Sequence, residues 1–119
     1  MAKVLLVEDD ADLRESLIEL LDSEGFDAVG AANGFEAVEL LRHEPRPDLI
    51  LLDLMMPVMN GWAFLKYRNE HPILSNVPVV VTTAWNEVPG EAEVIGVQGY
   101  LRKPLVPQEV VEIVHKHCG

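Results

Sequence analysis

Val4-Leu5-Leu6-Val7-Glu8-Asp9-Asp10 is an unbroken apolar run closed by three acids, and Leu49-Ile50-Leu51-Leu52-Asp53 repeats the pattern. A strand without polar alternation is buried on both faces, as in the centre of a parallel sheet. Between the two, Asp10 can cap a helix whose Leu13, Leu17, Leu20 and Leu21 recur at helical spacing until Gly25 stops it. Phe26 to Ala31 reads as a second strand, and Asn33 can cap a short helix carrying Ala37, Val38, Leu40 and Leu41 before Pro45 and Pro47 break the chain. Beyond Asp53, Met55 to Gly61 is a loop with Pro57 and Asn60-Gly61, Trp62 to Glu70 a third helix ended by Pro72, and Val77 to Thr82 a fourth strand. Gly99 to Leu101 is a shorter fifth strand, and Pro107 fits the first turn of a last helix with Val110, Val111 and Val114 facing inward. Strands alternating with helices predict an α/β fold: a parallel sheet with right-handed crossovers and helices on both faces.

Composition sets the limits. A chain of 119 residues, 49% hydrophobic, reads as one domain over 1–119 that buries roughly 65% of its unfolded surface. The solitary Cys118 cannot pair within the chain and reads as an inert tail thiol in a reducing compartment. No apolar run approaches the ~20 residues of a membrane span and no basic leader opens the chain, so a cytoplasmic location without membrane contact is expected. A net charge of −11 argues against direct nucleic-acid binding. Part of the acidic excess is concentrated in Glu8, Asp9, Asp10 and Asp12, where a cation could be held.

Strand ends deliver the chemistry. Glu8 and Asp9 follow the first strand, Asp53 the third, Thr83 the fourth, and Lys103 stands after the fifth, just before Pro104. In a doubly wound sheet, ligands sit in the crevice beyond the carboxyl ends of the strands. Three acids, a hydroxyl and an ammonium gathered there suit binding a divalent cation and moving a phosphoryl group. Singly, each has a plainer reading. Acids at strand ends cap helices, Thr82 competes with Thr83 as an ordinary strand residue, and a lysine before proline is commonly solvated. Their joint occurrence carries the chemistry, whereas Asp10 is explained by capping alone. His43, His71, His115 and His117 lack metal-ligand spacing and read as surface residues, and Met55, Met56 and Met59 as loop packing.

Four blocks together, Val4 to Asp10, Asp53 to Gly61, Thr83-Ala84 and Lys103-Pro104, resemble the receiver domains of bacterial two-component response regulators, the CheY-like superfamily. The resemblance implies a flavodoxin-like, doubly wound five-stranded parallel sheet of order 2-1-3-4-5. It implies that Asp53 accepts a phosphoryl group from a histidine kinase or phosphotransfer protein. Mg²⁺ would then be held by Glu8, Asp9, Asp53 and the backbone carbonyl of Met55, and phosphate by Thr83, Ala84 and Lys103. Thr83 and Tyr100 would form the switch read by a downstream effector protein, and the peptide before Pro104 would be cis. Such a domain is not a turnover enzyme; it catalyses only its own phosphotransfer and dephosphorylation. Carboxylates a few ångströms apart repel by about 3 kcal/mol per pair at an effective dielectric near 20, a conflict that Mg²⁺ removes.

Two alternatives are weaker. A pseudo-receiver that docks partners without taking phosphate would not need the full acidic set with Thr83 and Lys103. A Mg²⁺-dependent phosphohydrolase of the haloacid-dehalogenase type usually carries a second acid two residues after the nucleophile, where this chain has Met55. The segment between Thr83 and Lys103 is about two residues shorter than is usual for the family, and Val88-Pro89-Gly90-Glu91 permits only a brief fourth helix, which argues against output through it. Trp85, two positions past Thr83, is placed to shield an acyl phosphate from water.

Overall fold

A computed structural model describes residues 2–43, 46–53, 61–71, 74–83 and 97–118. Among the described residues nine elements follow one another: β1 (Lys3–Val7), α1 (Ala11–Ser23), β2 (Asp27–Ala31), α2 (Gly34–His43), β3 (Leu49–Asp53), α3 (Gly61–Glu70), β4 (Val79–Thr83), β5 (Gly99–Arg102) and α4 (Pro107–Cys118). The five strands form one sheet in the order β2-β1-β3-β4-β5, every neighbouring pair parallel. The doubly wound α/β architecture is therefore the one expected.

Alternate residues of each strand feed two cores. Leu5, Val7, Ile50, Leu52, Val79 and Val81 pack with Ala37 and Val38 of α2 and Phe64 and Leu65 of α3. Val4, Leu6, Leu49, Leu51, Val80 and Leu101 pack on the other face with Leu17 and Leu21 of α1 and Val110 and Val114 of α4. Each valine, leucine, isoleucine or phenylalanine among them contributes about 1.5–3 kcal/mol when fully buried. Because β1 and β3 are covered on both faces, their apolar runs need no polar alternation.

Caps set the element boundaries. Asp10 caps α1, its side chain accepting the Leu13 N–H at 3.1 Å. At the other end the Gly25 N–H bonds to Asp22 O and the Phe26 N–H to Leu21 O, with Gly25 at φ +89°, a left-handed turn that a glycine adopts without steric cost. Phe26 spends its N–H on that cap, so β2 starts at Asp27 rather than at Phe26. Asn33 caps α2 by accepting the Glu36 N–H, while the Glu36 carboxylate accepts the Ala32 N–H. Val77 donates to Leu74 O and Pro78 has no N–H, which moves the start of β4 to Val79, while pairing of Thr83 with Arg102 carries the strand on to Thr83. The third helix takes in Gly61, and β5 extends to Arg102. Val88 to Glu91, the stretch expected to shorten the fourth helix, and Trp85 lie outside the described residues.

Candidate functional site

The registers of β1 with β2 and with β3 end at Val7, opposite Ala31 and Leu52. The next residue on β1 is Glu8 and the next on β3 is Asp53, so the two acids emerge side by side at the carboxyl rim. Both are buried, at 2% and 3% exposure. Asp9 follows Glu8 into solvent. One oxygen from each of Glu8, Asp9 and Asp53 lies within 4.8 Å of the others. Lys103 reaches the same point from the far side of β4. Its N–H donates to Thr83 O at 2.7 Å, its peptide with Pro104 is cis, and its Nζ stands 2.9 Å from Glu8 Oε1 and 3.3 Å from Asp53 Oδ2.

Glu8 is fixed on several sides. Its N–H bonds to Ala31 O at 3.0 Å, its Oε2 accepts the Asp10 N–H at 3.1 Å, and its carbonyl accepts Nη1 of Arg14 at 2.8 Å. Burial is the chief reason its pKa rises from 4.5 to about 7, and the Asp53 charge adds to that, against the opposing Lys103 and Asp10 hydrogen bonds. Burial works against the Lys103 ammonium too, but the Glu8 hydrogen bond and the charges of Asp53 and Glu8 override it and raise the lysine pKa. One ammonium thus serves two buried acids. Hard oxygen donors, a shared negative charge and an exposed third carboxylate fit Mg²⁺, which keeps several waters and takes a few carboxylates.

The other expected site residues divide into two groups. Thr83 is buried at the rim, in register with Arg102; Thr82 stands directly across from Asp53. Tyr100 pairs with Val81, so it lies on the same face of the sheet as Thr83 and diagonal to it, 41% exposed. Met55 and Ala84 lie outside the described residues. Two of the four histidines are not simple surface residues: His71 and His117 are half-buried, and His71 Nδ1 and His117 Nε2 are buried without a hydrogen-bond partner. Sequence reasoning passed over Arg14. Its place three and seven residues before Leu17 and Leu21, on the sheet-facing stripe of α1, was the available clue.

The sequence matches the response regulator receiver domain family over residues 4–115. This chain belongs to that family. The receiver is 38% identical over 111 residues to the phosphate regulon transcriptional regulatory protein PhoB of Escherichia coli (strain K12), a match covering 92% of this chain and 48% of PhoB. It therefore spans about half the length of that relative. The polar-differentiation response regulator DivK of Brucella anthropi is 31% identical over 123 residues, covering 100% of the receiver and 98% of DivK. In three dimensions the receiver superposes on the chemotaxis response regulator CheY4 of Vibrio cholerae with a TM-score of 0.90 at 30% identity, over 98% of each chain. Among the described residues no helix of the receiver is long and apolar enough to cross a membrane.

Proposed function

We propose that this receiver accepts a phosphoryl group on Asp53 from a phosphohistidine of a histidine kinase or phosphotransfer protein, and that the modified domain changes its contacts with a downstream effector protein. The supporting observation is the Lys103 ammonium set 2.9 Å from Glu8 and 3.3 Å from Asp53, within a carboxylate cluster no wider than 4.8 Å. A carboxylate oxygen of Asp53 attacks phosphorus in line, forming an O–P bond as the P–N bond to the donor histidine breaks. Glu8, Asp9 and Asp53, with the Met55 carbonyl, would hold Mg²⁺, which when bound offsets the repulsion between an anionic nucleophile and an anionic phosphoryl group. Lys103 serves as a point charge for the phosphoryl oxygens, and the Thr83 hydroxyl and the Ala84 N–H donate to them. Thr83 and Tyr100 share a face of adjacent strands, which supports a switch in which the hydroxyl moves toward phosphate and the ring turns into the vacated space.

Intact mass after incubation with acetyl phosphate and Mg²⁺ tests this reading. Wild type is expected to gain a single labile phosphoryl group, and Asp53→Asn none. A wild type that gains none is a docking module, and one that releases phosphate over many turnovers is a hydrolase; either result overturns the proposal. For the switch, Thr83→Ala is expected to take up phosphate yet lose phosphorylation-dependent partner binding in a pull-down.

A further inference from the structure

We infer that Arg14 is a positioning residue for the acidic cluster, its guanidinium fixing the peptide that joins Glu8 to Asp9. The inference rests on the reading that this cluster holds Mg²⁺. The Glu8 carbonyl, which accepts Arg14 Nη1 at 2.8 Å, belongs to the planar unit linking the two successive acids. Orienting that plane sets the direction in which Asp9 leaves Glu8, and so the spacing of two of the three carboxylates. The ladder does not do this, because its bond beyond Val7, from the Glu8 N–H to Ala31 O, holds the peptide before Glu8 and not the one after it. Arg14 also differs from Lys103 in kind. Lys103 contacts the carboxylate oxygens that a cation would take, whereas Arg14 holds backbone and does not compete for them.

The reach of Arg14 depends on a glycine. On β2, a Cβ at Gly30 would stand 3.0 Å from Arg14 Cδ, 3.1 Å from Arg14 Cγ and 2.9 Å from Ile18 Cδ1. Without that Cβ the arginine stem lies close against the strand, and the guanidinium extends from it to the end of β1. A stem confined between helix and strand loses few rotamers when its head binds. Gly30, Arg14 and Glu8 thus form one physical link from the sheet edge to the site.

Calorimetric Mg²⁺ titration of wild type, Arg14→Ala, Arg14→Lys and Gly30→Ala tests the link, with melting temperatures taken in chelator. Arg14→Ala is expected to weaken Mg²⁺ binding about tenfold, the scale seen when a group supporting a metal ligand is removed, with little change in the metal-free melting temperature. Arg14→Lys falls between the alanine variant and wild type, and Gly30→Ala shows a smaller loss because the stem is displaced while the acids are untouched. Should Arg14→Ala fail to fold, Gly30→Ala and Arg14→Lys decide. Variants that melt lower but bind Mg²⁺ as tightly as wild type would show a merely structural arginine and overturn the inference. A wild type that binds no Mg²⁺ would instead overturn the metal reading itself, and this inference with it.

Discussion

Glu8 is the residue at which burial and function conflict most directly. Its carboxyl titrates near 7 in the folded chain and near 4.5 when unfolded, so between those values the native state holds a proton that the unfolded state has released. Stability from this group is therefore complete below about 4.5, is lost as pH rises toward 7, and changes no further above. Mg²⁺ requires the ionised carboxylate, so its affinity follows the opposite course. Calorimetry is expected to show binding up to about tenfold weaker at pH 6 than at pH 8, with release of a proton at pH 6, and a much flatter profile in Glu8→Gln. Asp53→Asn removes one of two buried acids sharing a single ammonium. It is expected to raise the metal-free melting temperature by about 4 °C and to abolish most of the further rise that Mg²⁺ produces in wild type. Glu8, Asp9, Asp53 and Lys103 were legible in sequence because charged residues closing apolar strands have few other reasons to cluster. Arg14 was not, since an arginine on a helix reads as solvated unless the stripe it shares with Leu17 and Leu21 is weighed.

Element types could be read directly, but element ends could not. Where a backbone N–H can serve either a cap or a ladder, sequence does not say which wins. Phe26 closes α1 instead of opening β2, and Val77 holds a turn to Leu74 although it is β-branched and fully buried. The caps themselves were visible in Asp10, Asn33 and Gly25, because each has a side-chain or backbone property that few residues share. Chemical denaturation puts numbers on them. Asp10→Ala is expected to cost about 1 kcal/mol through the lost acceptor for the Leu13 N–H. Gly25→Ala is expected to cost about 1–2 kcal/mol from placing a Cβ at positive φ.

The whole molecule separates stability from chemistry by position. Two apolar cores lie between the strands and the helices, while the buried carboxylates Glu8 and Asp53 meet Lys103 at the carboxyl rim, so a core truncation and a rim substitution touch different quantities. Phe64→Ala, at a fully buried ring, is expected to lower stability by about 3–5 kcal/mol while Mg²⁺ affinity of the folded fraction stays near wild type. Alternating elements predict the parallel α/β sheet, the order 2-1-3-4-5 came with the family resemblance, and the gathering of the β1, β3 and β5 ends at one rim was expected from the crevice of a doubly wound sheet. Lys103 has a consequence at this scale. It departs from the outermost strand and passes over β4 to acids on the two middle strands, tethering the sheet's margin to its centre by a charge. A cation that satisfies those acids frees the tether, leaving β5 to its ladder with β4. The amides of Gly99 to Arg102 would then trade hydrogen for deuterium faster in the Mg²⁺-loaded protein than in the bare one, making the edge strand a distant reporter of what the acids hold.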